Sequence, residues 1–388
     1  MRSRALSKDI LILLPVLLVG GTEIQTMSLV RALRFGGYNV SVCCYYEHDD
    51  SVISQIESSG TNVILLDLRR SAGISPLFLH LKRLFEDLEP HIVHVQYIAP
   101  GLIPIIAAKI AGVRRIFATV HQPGRPYGWR PKFLIQVAAQ LCDVFFCNSK
   151  AVEESWFGDS QIFDPEKMDP RRRHFTIFNG VDIDKIEKTV KGVDKENIKE
   201  SLNVKNKKII GVVGRLRKEK GQATLLESMK IVIKELPNTI LLVVGDGPDR
   251  ASLEDLAEKL GITDHVKWLG QRDPDKVVEV YSIMDVVAVP SVFEGFGFSA
   301  AEAMAAGLPV VGTRVDGLSE VIEHEVTGYL LPPGSSHDLA RTLIQLLSNP
   351  EKSKQMGEKG RERVRELFSI QHFIHSIISA YQYFSIKK

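Results

Sequence analysis

The sequence predicts an α/β protein made of two doubly wound, Rossmann-like domains. Three observations predict it. Short apolar, β-branched runs alternate with longer segments whose apolar residues recur at helical spacing. The runs fall into two series separated by a charged stretch. The chain has 388 residues, more than one core usually serves. Alternating strand and helix order implies parallel sheets with right-handed crossovers.

The first series is Ile10–Leu17, Asn39–Tyr45, Thr61–Leu66, His91–Gln96, Arg115–Val120 and Asp143–Cys147. Its first run belongs to "ILILLPVLLV" (Ile10–Val19), preceded by Arg2, Arg4 and Lys8, and so imitates a signal peptide. Ten apolar residues are about half of what a membrane-spanning helix needs. A strand covered on both faces also reads as a continuous apolar run, and we expect a strand here. "IQTMSLVRALRFGG" follows as a helix with a glycine stop at Gly36–Gly37. Gly20 and Gly21 form a close-approach loop, and Thr22 and Gln25 have capping-box spacing. His121 ends a strand and enters "HQPGRPYG", a Gly/Pro-rich loop that reads as mobile.

The stretch Asp182–Lys208 is charged and poor in large apolar residues, as expected of a linker with a surface helix. It places the domain join near residue 183. The second series is Lys208–Val213, Ile240–Val244, Val266–Leu269, Asp285–Val289 and Pro309–Thr313. An amphipathic helix, "IQHFIHSIISAYQYFSI", closes the chain.

Composition excludes several classes. Net charge is +2, so no global basic excess points to nucleic acid. Four cysteines without zinc or redox spacing fit neither a disulfide framework nor a metal finger, and suit a reducing, cytoplasmic setting. Basic residues crowd the first half: Arg69, Arg70, Lys82, Arg83, Arg114, Arg115, Arg125, Arg130, Lys132 and Arg171–Arg173. Such charges usually form a solvated face, and they also attract anionic lipid at about 1 kcal/mol each.

Three segments of the second half carry chemistry. "PSVFEGFGFSAAEAMAAGLPVV" begins at Pro290 and places Glu294 and Glu302 around a G-x-G-x-x-A pattern that opens a helix. Glycines admit close backbone approach, and a helix start favours anions. A dinucleotide site uses the first strand of its domain, whereas this loop follows the fourth run. Glycosidase carboxylates usually come from separate elements flanking the scissile bond. Hydroxyl binding beside phosphate suits the pair better. "VVGRLRKEKGQATLL" (Val212–Leu226) puts Arg215 and Lys220 after a strand without a Walker A pattern: a planar fork and a point charge matched to a pyrophosphate. "GDGP" after Val244 reads as structural, and the backbone of "VKWLG" as a weak candidate for facing a base.

These motifs resemble those of the retaining glycosyltransferases of family 4, which have the GT-B fold. Glu294 to Glu302 is the E-x7-E signature. "GRLRKEKG" (Gly214–Gly221), "GDGP", "WLG", "AMAAGLPVV", "TGYLLPPG" and "FNGVD" (Phe178–Asp182) are similar to family motifs, in family order. In the first half the resemblance rests on "GGTE", His121 and "FNGVD", and it covers nearly all of the second half. It implies an N-terminal acceptor domain, 1–183 joined by 367–388, and a donor domain, 184–366, facing a cleft. It implies that Arg215 and Lys220 bind the donor's diphosphate, Glu302 the ribose, and Glu294 the donor sugar. Backbone groups of Gly295, Phe296, Gly297 and Phe298 would meet sugar and phosphate. Gly21 would approach the diphosphate, and His121 would lie by the donor sugar. The family often has Asp after that histidine; here Gln122 stands there.

The reaction the resemblance implies is retaining, hexosyltransferase-type transfer from a nucleotide-diphosphate sugar to a glycan or lipid-linked acceptor, in cell-surface polysaccharide, lipopolysaccharide or glycolipid synthesis. No metal or other cofactor is expected. Asp182-Ile-Asp184 and Asp273-Pro-Asp275 imitate the D-x-D metal motif of another glycosyltransferase fold, but lie by the linker and in a turn before a helix. Peripheral association with the cytoplasmic membrane face is a further expectation. A non-catalytic nucleotide-sugar binder and a GT-B-fold epimerase are the alternatives.

Overall fold

The protein is described by a computed structural model covering residues 9–18, 20–97 and 102–386. Two compact units divide it. One comprises residues 1–180 with 371–388, the other residues 181–370.

The first unit is built on a parallel sheet of β1 (Asp9–Leu14), β2 (Asn39–Cys44), β3 (Asn62–Leu65), β4 (Ile92–Tyr97), β5 (Arg115–Val120), β6 (Val144–Cys147) and β7 (His174–Thr176). Its order is 3-2-1-4-5-6-7. The apolar run at the start of the sequence is the central strand of this sheet. Ile10 to Leu14 are all buried, with β2 on one side and β4 on the other. Leu11 and Leu13 pack with Val93, Val95 and the helix residues Leu77, Leu81 and Phe85. The closing amphipathic segment, a helix over Ile370–Ile386, packs on this same unit. Its Tyr381 ring meets Phe117 edge-on at 4.9 Å, and Phe384 packs against Phe146 and Phe175.

The second unit carries β8 (Lys208–Val213), β9 (Thr239–Val244), β10 (Val266–Gly270), β11 (Val286–Val289), β12 (Val310–Thr313) and β13 (Gly328–Leu331). The order is 10-9-8-11-12-13, all parallel. β8 leads outward to β9 and β10, and the chain then returns to lay β11 on the other side of β8. The direction of winding reverses between β8 and β11. The loops after those two strands therefore flank the crevice at the carboxyl edge where doubly wound sheets bind ligands.

Three local expectations change. β7 and β13, three and four residues long, were too short to stand out in the sequence. The supposed linker is two helices, Ile183–Gly192 and Lys195–Ser201, capped by Asp182 and Asp194. Thr22 lies inside the first helix rather than at its N-cap. The first helix starts at Gly21 with Gly20 as its N-cap, without a side-chain cap bond. Gln25 is buried instead, and its Oε1 has no partner among the described residues.

Candidate active site

The second unit's site is assembled from the loops after β8 and β11. Three contacts lock these loops together. Val292 N donates to Glu219 O at 2.8 Å. Gly221, at φ +68°, lies so close to Pro290 that a Cβ would stand 2.0 Å from that carbonyl oxygen. Lys220 Nζ donates to Glu294 Oε2 at 2.7 Å, with both side chains only partly covered. Ser291, itself buried, donates through Oγ to the same carboxylate oxygen at 3.2 Å, and Thr313 Oγ1 donates to Ser291 O. Glu294 is thus held from below by a hydroxyl and faced by a cation.

Arg215 stands apart. It is exposed, and its guanidinium has no hydrogen-bond or ion-pair partner among the described residues. Its backbone is fixed, because Gln222 Nε2 donates to Arg215 O at 2.9 Å. A guanidinium left free on a fixed backbone is ready for an incoming anion.

The glycines after Glu294 lead into the helix Phe298–Ala305. Its N-cap, Gly297, has φ +100°, and a Cβ there would stand 2.6 Å from Leu318 Cδ2, so glycine is required twice over. Gly295, Phe296 and Gly297 are buried. The Phe296 ring packs edge-on against Phe298 and Phe368, leaving its peptide rather than its side chain for a ligand. The first N–H groups of this helix have no intrahelical acceptor and carry its positive end.

Glu302 follows one turn on. Tyr281 OH donates to Glu302 Oε2 at 3.4 Å. Loss of water around the carboxyl group pushes its pKa up to about 7, partly offset by the tyrosine hydrogen bond. The residue as a whole stays partly accessible. The "GDGP" turn is structural: the backbone at Gly245 and Gly247 presses on Gly214 and Leu216. At "WLG", the Arg250 guanidinium lies over the Trp268 ring.

In the first unit, Gly21 begins the helix after β1, and His121 directly follows β5, both at the carboxyl edge of the sheet. His121 is 7% exposed. Its Nε2 donates to Gln96 Oε1 at 2.6 Å, and its carbonyl accepts from Asn148 Nδ2 at 3.1 Å. Burial holds its pKa down at about 3, so the ring is neutral at pH 7. The loop beyond it is tied down rather than free. Gly124 N donates to Ser155 Oγ at 2.7 Å, and Trp156 Nε1 donates to Gln122 O at 2.8 Å. Tyr127 stacks on Trp156 and donates to Gln122 Oε1. The Gln122 amide oxygen is thereby engaged within the loop.

The D-x-D imitations have other work. Asp182 caps a helix through the Lys185 N–H, and Asp184 pairs with Arg365. Asp273 precedes the helix Pro274–Tyr281, and Asp275 pairs with Lys185. No cluster of three or more His, Cys, Asp or Glu side chains able to hold a metal ion exists among the described residues. Sequence reasoning missed Ser291, Tyr281, Gln96 and Asn148, which hold the site residues it did find. Only the placement of Ser291, Gln96 and Asn148 at strands and turns, and of Tyr281 at the end of the helix before β11, could have pointed to them.

Comparison with known proteins identifies this arrangement. Residues 193–363 match the model for glycosyl transferases group 1, and residues 19–185 that for glycosyltransferase family 4. The N-acetyl-alpha-D-glucosaminyl L-malate synthase of Bacillus anthracis is 32% identical over 297 residues, 75% of this chain and 73% of that protein. The D-inositol 3-phosphate glycosyltransferase of Corynebacterium urealyticum is 35% identical over 212 residues, 52% of this chain and 49% of that protein. The structure of HepE from Anabaena, solved with UDP and glucose, superposes with a TM-score of 0.80 at 21% identity, over 96% of this chain and 99% of that one. That likeness shows the GT-B fold. The chain belongs to glycosyltransferase family 4, with a group 1 glycosyltransferase domain as its second half.

Proposed function

We propose that this protein transfers a sugar, with retention and without a metal ion, from a nucleotide-diphosphate sugar to a glycan or lipid-linked acceptor. The observation that carries this reading is the set of charges at the reversal point of the second sheet. A free Arg215, a Lys220–Glu294 pair and a helix start opened by glycines meet there. When the sugar–phosphate bond breaks, negative charge grows on the diphosphate. Arg215, Lys220 and the peptide N–H groups at Gly297–Phe298 offset it where it develops. One cation about 4 Å away is worth on the order of 4 kcal/mol at an effective dielectric of 20. Glu294, released from Lys220 as the phosphate takes that cation, accepts from hydroxyls of the sugar, and Glu302 accepts from the ribose. The family resemblance adds a role toward the diphosphate for Gly21 and one toward the sugar for His121.

HepE, which has the same fold, was solved with UDP and with UDP-glucose, and this supports a nucleotide-diphosphate sugar as the donor. The relatives' names cover unlike acceptors, malate and inositol phosphate among the glycosyl acceptors, so the acceptor is left as a class. A lipid-linked acceptor is supported by the surface of the first unit. Arg70, Lys82, Arg115, Arg171 and Arg172 are each paired with a carboxylate. The helix Trp129–Leu141 instead exposes Trp129, Phe133 and Leu134 beside Arg130 and Lys132, the mixture that lies in a membrane interface. No helix among the described residues is long and apolar enough to cross a membrane.

The direct test is incubation with UDP-, GDP- and ADP-sugars. The true donor at 100 times its dissociation constant should stabilise the protein by about 2.7 kcal/mol, read as a thermal shift. Sugar should then appear on an added glycan or lipid acceptor. An altered sugar nucleotide formed from donor alone would mark an epimerase, and binding without any turnover a sensor. Activity is expected to persist in excess EDTA, because cationic side chains rather than a metal face the phosphates. Loss in EDTA restored by Mn²⁺ would overturn the metal-free mechanism.

A further inference from the structure

His121 does not stand alone. A row of buried polar groups runs back from it into the first unit. His94 and Gln96 are two apart on β4, and so face the same side of the sheet. Gln96 is the register partner of Thr119 on β5, and His121 lies two residues beyond Thr119. All four residues are 7% exposed or less. Gln96 turns its oxygen to His121 Nε2 and its amide nitrogen to His94 Nε2, at 2.6 and 3.2 Å. Thr119 Oγ1 meets the same His94 nitrogen at 2.7 Å, and His94 Nδ1 bonds the Tyr381 hydroxyl on the C-terminal helix at 2.5 Å. His94 has both ring nitrogens engaged, and burial keeps it neutral.

A structural role explains one buried histidine, whose nitrogens must be satisfied. It does not explain why the row ends at His121. There the ring spends Nε2 on Gln96, while Nδ1 has no partner among the described residues. A neutral imidazole carries one proton, and which nitrogen holds it is set by the bond the other makes. With the Gln96 oxygen against Nε2, the proton belongs there, and Nδ1 keeps a lone pair.

We propose that Gln96, held by His94, Thr119 and Tyr381, is a positioning residue that fixes His121 as its Nε2–H tautomer and leaves Nδ1 as a hydrogen-bond acceptor for a donor-sugar hydroxyl. The contact to sugar rests on the function proposed above; the tautomer does not. The row also makes the C-terminal helix part of the apparatus that sets the ring, through Tyr381.

The test is long-range proton–nitrogen NMR of the full chain at pH 7, with His121 assigned by loss of its signals in His121→Asn. A protonated Nε2 and a bare Nδ1 are expected. In Gln96→Met the ring should populate both tautomers, and in Gln96→Glu, which restores an acceptor, the Nε2–H form should return. With UDP-glucose and UDP as probes, Gln96→Met should weaken the sugar nucleotide about tenfold and UDP less than twofold. A wild-type ring protonated on Nδ1 overturns the proposal, and so does equal weakening of UDP and UDP-glucose, the mark of a merely structural defect. If Gln96→Met does not fold, the wild-type spectrum and that of Tyr381→Phe, which should loosen the tautomer, decide it. Absence of transfer with every nucleotide sugar would count against the proposed function and leave the spectroscopic result standing.

Discussion

Arg215→Ala and Lys220→Ala are each expected to lower turnover by roughly 10²–10³, the scale for losing one preorganised donor to a developing oxyanion. The two variants should differ in how cleanly they report. The Arg215 side chain is exposed and unpaired among the described residues, so its loss removes no native hydrogen bond or ion pair. Melting temperature should stay at the wild-type value while kcat falls, and the deficit reads directly as transition-state stabilisation. Lys220 is bonded to Glu294, so its removal leaves a carboxylate supported by Ser291 alone. That variant should also bind donor more weakly, because the cation that takes the phosphate is gone. The two losses should combine to less than their product, since both cations serve one diphosphate. Steady-state kinetics on the purified variants checks this, and wild-type rates in both would sink the diphosphate assignment.

The sequence carried the framework further than the contacts. Continuous apolar runs such as Ile10–Leu14 marked the central strands because both faces of a parallel sheet are covered. Gly297 and Gly221 were visible as glycines, and the structure supplies their cause, a left-handed backbone pressed on Leu318 or Pro290. The Lys220–Glu294 bond was not legible. It joins residues 74 apart and depends on β11 returning to the side of β8, a matter of sheet order that local patterning does not encode. The His121 loop misled for the opposite reason. Its Gly/Pro content signals turns, but Trp156 and Ser155 on the helix Lys150–Phe157, beyond β6, tie it down. The row behind His121 left one trace: polar residues at alternate positions of an otherwise apolar strand, His94 and Gln96.

Glu302→Gln should separate stability from binding. The folded protein holds this carboxyl at about 7, against an ordinary value of 4.5, chiefly through burial. Below about pH 4.5 folded and unfolded chains both keep the proton, and the site imposes no penalty. Between 4.5 and 7 the unfolded chain gives it up first, so stability falls as pH rises. Above about 7 the folded chain also ionises, and the penalty levels off at about 2 kcal/mol after allowance for the residue's partial access to water. A neutral amide removes the penalty. Glu302→Gln should therefore melt higher than wild type at pH 8 and no differently at pH 4. Binding should move the other way. Ribose hydroxyls donate to the carboxylate better than to the acid, so donor binding to wild type should release a proton and strengthen as pH rises through 7. In Glu302→Gln that pH dependence should vanish and affinity at pH 8 should drop about tenfold, the cost of one charge-assisted hydrogen bond. Thermal melts at both pH values and calorimetry with a nucleotide sugar check the two halves. A variant that is no more stable at pH 8 would show that the carboxyl is not strained by burial. One that binds donor as wild type does would remove Glu302 from the ribose.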